Sequence, residues 1–175
     1  MKIDGQKARI TAHMPSGLDR LPVIREMLQL DTAKPLVEHL NYDHASWQSQ
    51  GPSNVSCYAQ SWSIVYMLRQ GMAGNVNSKV WKKEYAEILP AYITALNKGF
   101  QDAYREEREK RALAKSGGNP ANQTTATIEE LDSDDLGPAV VKRIWTDAMS
   151  ASWGKIDLTQ FEADWKLYVK KFLKD

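Results

Sequence analysis

The stretch from Asn54 to Gln70, "NVSCYAQSWSIVYMLRQ", constrains the fold more than any other part of this 175-residue chain. Val55, Tyr58, Ala59, Trp62, Ile64, Val65, Tyr66 and Leu68 cover most of the circumference of a helical wheel. The polar residues left over, Ser56, Gln60, Ser63 and Gln70, form a narrow stripe at spacings of four, three and seven. A helix that is apolar nearly all round lies inside a protein. The spacing therefore predicts a buried central helix over 54–70, with Ser53 or Asn54 to cap it and Gly71 to end it. Other elements must then surround it, which points to an all-α, compact multi-helix domain.

The flanking segments supply those elements. Leu18, Leu21, Ile24 (or Val23) and Leu28 recur at helical spacing, with Ser16 as a cap and Pro22 in a first turn. "AKPLVEHL" reads as a short helix with Pro35 near its start, and "NYDHASWQSQGPSN" as a connecting loop. Ser78 can cap a longer helix carrying Trp81, Tyr85, Ile88, Tyr92 and Leu96 on one face. Pro90 should kink or split it, and Gly99 is a second weak point, followed by Phe100, Ala103 and Tyr104. "REEREKRALAK" extends this helix with opposite charges three and four residues apart, the pattern of a solvated face.

Pro138 suits the first residue of a further helix whose apolar face is Val141, Ile144, Trp145 and Ala148 (or Met149). In the last helix Asp157 caps and Gln160 follows three residues on, a capping-box arrangement, with Ile156 and Phe161 as a hydrophobic staple. Leu158, Phe161, Trp165, Tyr168 and Phe172 line one face, and lysines crowd the final turn, where they suit the helix dipole. A short extended piece around 8–12 is compatible with the N-terminal pattern. The one sharp break in composition, "SGGNPANQTTATIEELDSDDLGP", reads as a flexible surface excursion over 116–137 within a single domain spanning 1–175.

Several functional classes receive no support. A net charge of +1 creates no field that would gather nucleic acid, and no basic run alternates with stacking aromatics. No apolar stretch approaches the ~20 residues that span a bilayer, and "MKIDGQKARITAHMPSG" lacks the apolar core of a secretory signal. Neither nucleic acid nor a membrane is an expected partner, and the compartment stays open. Cys57, the one cysteine, sits on the apolar helix without a basic neighbour and reads as a buried, inert thiol.

The chain has no H-E-x-x-H, no G-x-S-x-G, no phosphate-cradling glycine loop and no dinucleotide fingerprint. Glu129 with Glu130, and Asp134 with Asp135, lie in a polar segment where nothing would raise a carboxyl pKa for acid–base work. Glu38, His39, Asp43 and His44 in "VEHLNYDH" are the one candidate metal cluster. Histidines five residues apart point about 140° away from each other on a helix, so one packed and one exposed histidine is the preferred reading over zinc.

Four segments, taken in order, resemble the C-terminal helical region of peptidase-MA-like proteins, gluzincin-type metallopeptidases many of which are known only as domains of unknown function. "YAQSWSIVYML" is similar to the family's downstream helix, and "GQKARITAHMPSGLDRLPVIREML" to the polar hairpin and first helix after its zinc segment. "KPLVEHL" is similar to the short helix next in line and "WGKIDLTQFEADWKLYV" to the closing helix. In complete members an H-E-x-x-H helix and a glutamate ligand precede this region, and the present chain contains neither. The resemblance thus implies a subdomain that is catalytically silent alone, with zinc held by a separate catalytic half. It also implies a role for Tyr58 on the oxyanion side of that zinc, where gluzincins place a tyrosine or histidine.

Three functional expectations follow. The first is this helical subdomain, packing against a missing zinc-bearing half and self-associating through exposed apolar surface in its absence. The second is a free-standing interaction module that presents the charged helix 104–115 and the acidic excursion. The third, an independent metalloenzyme, would rest on His39 and His44.

Overall fold

The computed structural model describes residues 20–42, 47, 54–115, 131 and 135–173. The extended piece expected around 8–12, the Ser16 and Ser53 caps, Asp43, His44 and most of the excursion lie outside them. All regular structure among the described residues is helical, so the fold class is all-α. The elements are α1 (Arg20–Gln29), α2 (Leu36–Leu40), α3 (Asn54–Met72), a 3-10 turn (Lys83–Glu87), α4 (Ile88–Lys115), α5 (Pro138–Trp153) and α6 (Leu158–Lys171). They group into two compact units, one up to Met67 together with the chain from Trp165, the other Leu68–Asp164.

In the first unit, α1 buries Leu21, Ile24, Met27 and Leu28, one face of a helix begun by a first-turn Pro22. Leu36, Cys57, Ala59, Ile64, Met67, Trp165, Tyr168, Val169 and Leu173 are also buried there. Two fully buried polar side chains of α3 sit among them. Ser63 Oγ accepts from the Trp165 indole N–H at 3.0 Å and donates to the Gln60 carbonyl at 2.8 Å. Gln60 Nε2 donates to the Lys34 carbonyl at 2.8 Å, and its Oε1 accepts from the Lys34 amide at 3.1 Å. The polar stripe read from the sequence therefore faces inward at Gln60 and Ser63. Burial of such groups is tolerated because each has a partner. At the far end of the chain, the Arg25 guanidinium donates to the Leu173 carbonyl at 2.7 Å.

In the second unit, α3 continues past Gly71 to Met72. Its end is set by Gly74, at φ 78°, whose amide reaches the Gly71 carbonyl at 2.9 Å while Asn75 N reaches the Gln70 carbonyl at 2.8 Å. Those two bonds form a Schellman cap, in which the left-handed residue belongs to glycine. Gly71 has a different use: a Cβ there would fall inside the ring of Trp81.

The single long helix expected from Ser78 does not form. Residues 83–87 wind as a 3-10 turn, and α4 starts at Ile88. Pro90 thereby lands in a first turn, where its missing N–H costs no hydrogen bond. Helix α4 then runs unbroken through Gly99 and packs along α5. A Cβ on Gly99 would stand 2.7 Å from Ile144 Cγ2, so the glycine permits close helix approach. Ala103, Leu136 and Ile144 form the core of this contact, with Leu96, Phe100, Tyr104, Val140 and Val141 around it. Trp145, expected on the buried face of α5, is 48% exposed and lies beside Tyr92.

Asp157 caps α6 as expected, accepting from the Gln160 amide at 3.0 Å. Gln160 does not close the box. Its side chain donates instead to the buried Asp164 carboxylate at 3.0 Å, which also accepts from Tyr85 Oη at 2.7 Å. Burial, followed by that hydrogen bond, raises the Tyr85 phenol well above its usual range. Phe161 packs edge-on to both Tyr85 and Trp153.

Candidate functional site

The first unit brings the residues of α2 and α3 into one constellation. The Gln60–Lys34 pairing fixes the chain just before α2, and Pro35 starts that helix with a φ of −51°. One turn on, His39 enters the interior with 6% of its surface exposed. Its Nε2 lies 2.7 Å from Ser61 Oγ on α3. Its Nδ1 is buried without a hydrogen-bond partner among the described residues. Burial pushes the His39 imidazole down to about 4, against a smaller opposing pull from Glu38, so the ring is neutral at pH 7.

Around this pair lies an aromatic cluster. The His39 ring stands 6.0 Å from Tyr42 and 5.8 Å from Trp47, and Trp47 meets Tyr58 edge-on at 5.1 Å. Outside, Tyr42 Oη donates to Glu38 Oε1 at 3.0 Å, and Lys34 Nζ reaches the same oxygen at 3.4 Å. The tyrosine hydrogen bond, then the lysine, holds the Glu38 carboxyl below its usual range. Cys57 is buried, and burial pushes its thiol up, away from the thiolate that a nucleophile would need.

Among the described residues the candidate cluster does not converge on one point. His39 is turned to Ser61 and Glu38 to Tyr42 and Lys34, while Asp43 and His44 lie outside the described residues. Among the described residues no group of three or more His, Cys, Asp or Glu is placed to hold a metal ion. The His39–Ser61 pair is not an acyl-transfer dyad either. Ser61 sits in mid-helix, where backbone N–H groups are committed to the helix and none is free to stabilise an oxyanion.

Tyr58, the residue singled out from the sequence, is 48% exposed. Its hydroxyl has no hydrogen-bond partner among the described residues. It belongs to an outward row of α3, in which Val55 and Val65 are 40% and 42% exposed and Trp62 is half-buried. Trp62 in turn leans on Tyr66 with ring centroids 5.3 Å apart. Val55, Tyr58, Trp62 and Val65 follow one another at spacings of three, four and three, the seam of a helix that pairs with another helix. That spacing is present in the sequence. It was masked by the other apolar residues of α3, which fill the opposite face.

The charged part of α4 is largely self-satisfied. Asp102 pairs with Lys98 and Arg105, and Glu107 with Lys110 and Arg111; Arg111 also reaches Asp135 at 2.8 Å. No described helix is long and apolar enough to cross a membrane. No protein-family model, curated protein or solved structure matches this chain.

Proposed function

We propose that this chain is a helical interaction module that docks on a second polypeptide through the outward face of α3. One observation carries the reading: Val55, Tyr58, Trp62 and Val65 form a row at helix-pairing spacing that, among the described residues, stays exposed at Val55, Tyr58 and Val65 and half-exposed at Trp62. Apolar surface removed from water contributes about 25 cal/mol per Å2, so a row of this kind is stabilised by a partner and costs free energy without one. The two aromatics are already braced, Tyr58 by Trp47 and Trp62 by Tyr66, which lowers the entropy lost on docking. The charged stretch of α4 is less suited to the task, because its ion pairs would have to be broken or desolvated.

The test is a photoreactive benzophenone side chain in place of Val65, with the same group in place of Glu109 on α4 as a control. A discrete protein adduct from position 65 alone is the expected outcome. Adducts from neither position, in cells or with purified chain, would refute docking through this face.

The resemblance to peptidase-MA-like proteins supplies a second reading, favoured by an exposed Tyr58 whose hydroxyl has no hydrogen-bond partner among the described residues. In it, the polypeptide across the face is a zinc-bearing half, and Tyr58 donates to the oxyanion that forms beside the metal. The present chain would supply that wall and neither ligands nor base. In an assembled enzyme Tyr58→Phe should lower kcat by about 10²-fold or more, as loss of one oxyanion donor does. An unchanged kcat would remove Tyr58 from the chemistry.

A further inference from the structure

The outward row of α3 has a property that bears on its partner: it is palindromic. Val55, Tyr58, Trp62 and Val65 read aliphatic, aromatic, aromatic, aliphatic in either direction, with spacings of three, four and three. A two-fold axis through the helix near Gln60 would set Val55 against Val65 of a second copy and Tyr58 against Trp62. This is the self-complementarity that an isologous interface requires. From Asn54 to Leu68 the helix carries no charged residue; Arg69 is the first. Two copies can therefore approach along the row without like-charge repulsion; the first charge on this face, Arg69, lies one turn beyond Val65.

The polar atoms on the row also match. The Tyr58 hydroxyl and the Trp62 indole N–H lack hydrogen-bond partners among the described residues. Tyr58 can accept where the indole of the second copy donates, so neither need be stranded when the face is covered. From these observations we infer that the partner of the α3 face is a second copy of this chain, with the two α3 helices antiparallel. The inference rests on the docking reading above and adds the identity of the occupant.

The register makes a specific demand. Positions 55 and 65 are about 15 Å apart along one helix. Residues at these positions meet only between copies. A disulfide needs its Cα atoms within about 7 Å, so in the antiparallel pair a cysteine at 55 reaches position 65 of the other copy and cannot reach its own equivalent.

Three measurements on the full chain decide the matter. Sedimentation equilibrium from micromolar to submillimolar concentration should show a mass that doubles. Val65→Lys alone and Val55→Glu alone should each return it to one chain, and the double variant Val55→Glu/Val65→Lys should restore the dimer. Both positions are exposed, so neither change tests folding of the unit. Oxidation of a Val55→Cys/Val65→Cys variant should link 55 to 65 between copies. Links of 55 to 55 and 65 to 65 would overturn the antiparallel register.

The benzophenone experiment separates this inference from the reading beneath it. An adduct with the mass of two copies supports both. An adduct with a different polypeptide, from a chain that sediments as a monomer throughout, overturns the second copy and leaves docking intact. A monomer with no adduct overturns both.

Discussion

Replacing Gly99 by alanine sets two well-known effects against each other. Alanine is favoured over glycine inside a helix by about 0.8–1.0 kcal/mol, and position 99 lies in the middle of α4. The added methyl, however, would stand 2.7 Å from Ile144 Cγ2 and 3.3 Å from Cγ1. Carbon atoms prefer about 3.5–4.0 Å, so the overlap approaches 1 Å. Ile144 cannot easily turn aside: it is β-branched in a helix, which fixes χ1, and it is 3% exposed in a cluster with Ala103 and Leu136. Overpacking of this kind costs about 1–3 kcal/mol. The net of the two is a destabilisation of up to about 2 kcal/mol for Gly99→Ala. Ile144→Ala alone should cost about 2–5 kcal/mol through the void it leaves. In that background the methyl at 99 has room and fills part of the space, so Gly99→Ala should become stabilising. Urea unfolding of the four proteins, followed by tryptophan fluorescence, gives the coupling directly. A stabilising Gly99→Ala in the native background, additive with Ile144→Ala, would refute the close approach of α4 and α5.

Two further perturbations probe the polar interior of the first unit. His39 is held at about 4, below the ~6.5 of an unfolded histidine, so the unfolded chain takes up the proton first as pH falls. Stability should be fully present above about pH 6.5 and decline toward pH 4 by up to about 1.4 kcal/mol per pH unit, a slope that His39→Gln should flatten in pH-dependent urea melts. An equally steep slope in the variant would assign it to other groups. Ser63→Ala leaves the fully buried Trp165 indole N–H without its acceptor and should lower the urea midpoint by the equivalent of about 1–3 kcal/mol, whereas a change within about 0.5 kcal/mol would mean that the indole finds another partner.

Much of the helical inventory was legible without coordinates. Pro22, Pro35 and Pro138 each sit at a helix start, where a missing N–H is harmless, and Asp157 caps α6. These are local effects, decided within a few residues of the chain. The break at the 3-10 turn was half legible: Pro90 announced a break in the helix begun at Ser78, but the chain resolves it by restarting at Ile88 and letting the proline fall in the first turn. Gly71 read as a helix end and Gly99 as a weak point, yet each makes room for a neighbouring side chain. Nothing local to either glycine names Trp81 or Ile144.

The sequence by itself determined most of the helical segments and that α3 is almost uncharged, because periodicity and propensity are properties of the chain read in order. Tertiary structure alone decided which side of α3 is inside. A wheel ranks residues by hydrophobicity, and on that ranking Gln60 and Ser63 belong outside while Val55, Tyr58 and Val65 belong within. The ranking is reversed by partners distant in sequence, Lys34 for Gln60 and Trp165 for Ser63, which satisfy the buried polar groups and remove the penalty for placing them there. The same distance in sequence hid the His39–Ser61 pair. Hydrogen bonds between residues far apart in the chain exist only once the chain has folded, and here they select the face that α3 turns outward.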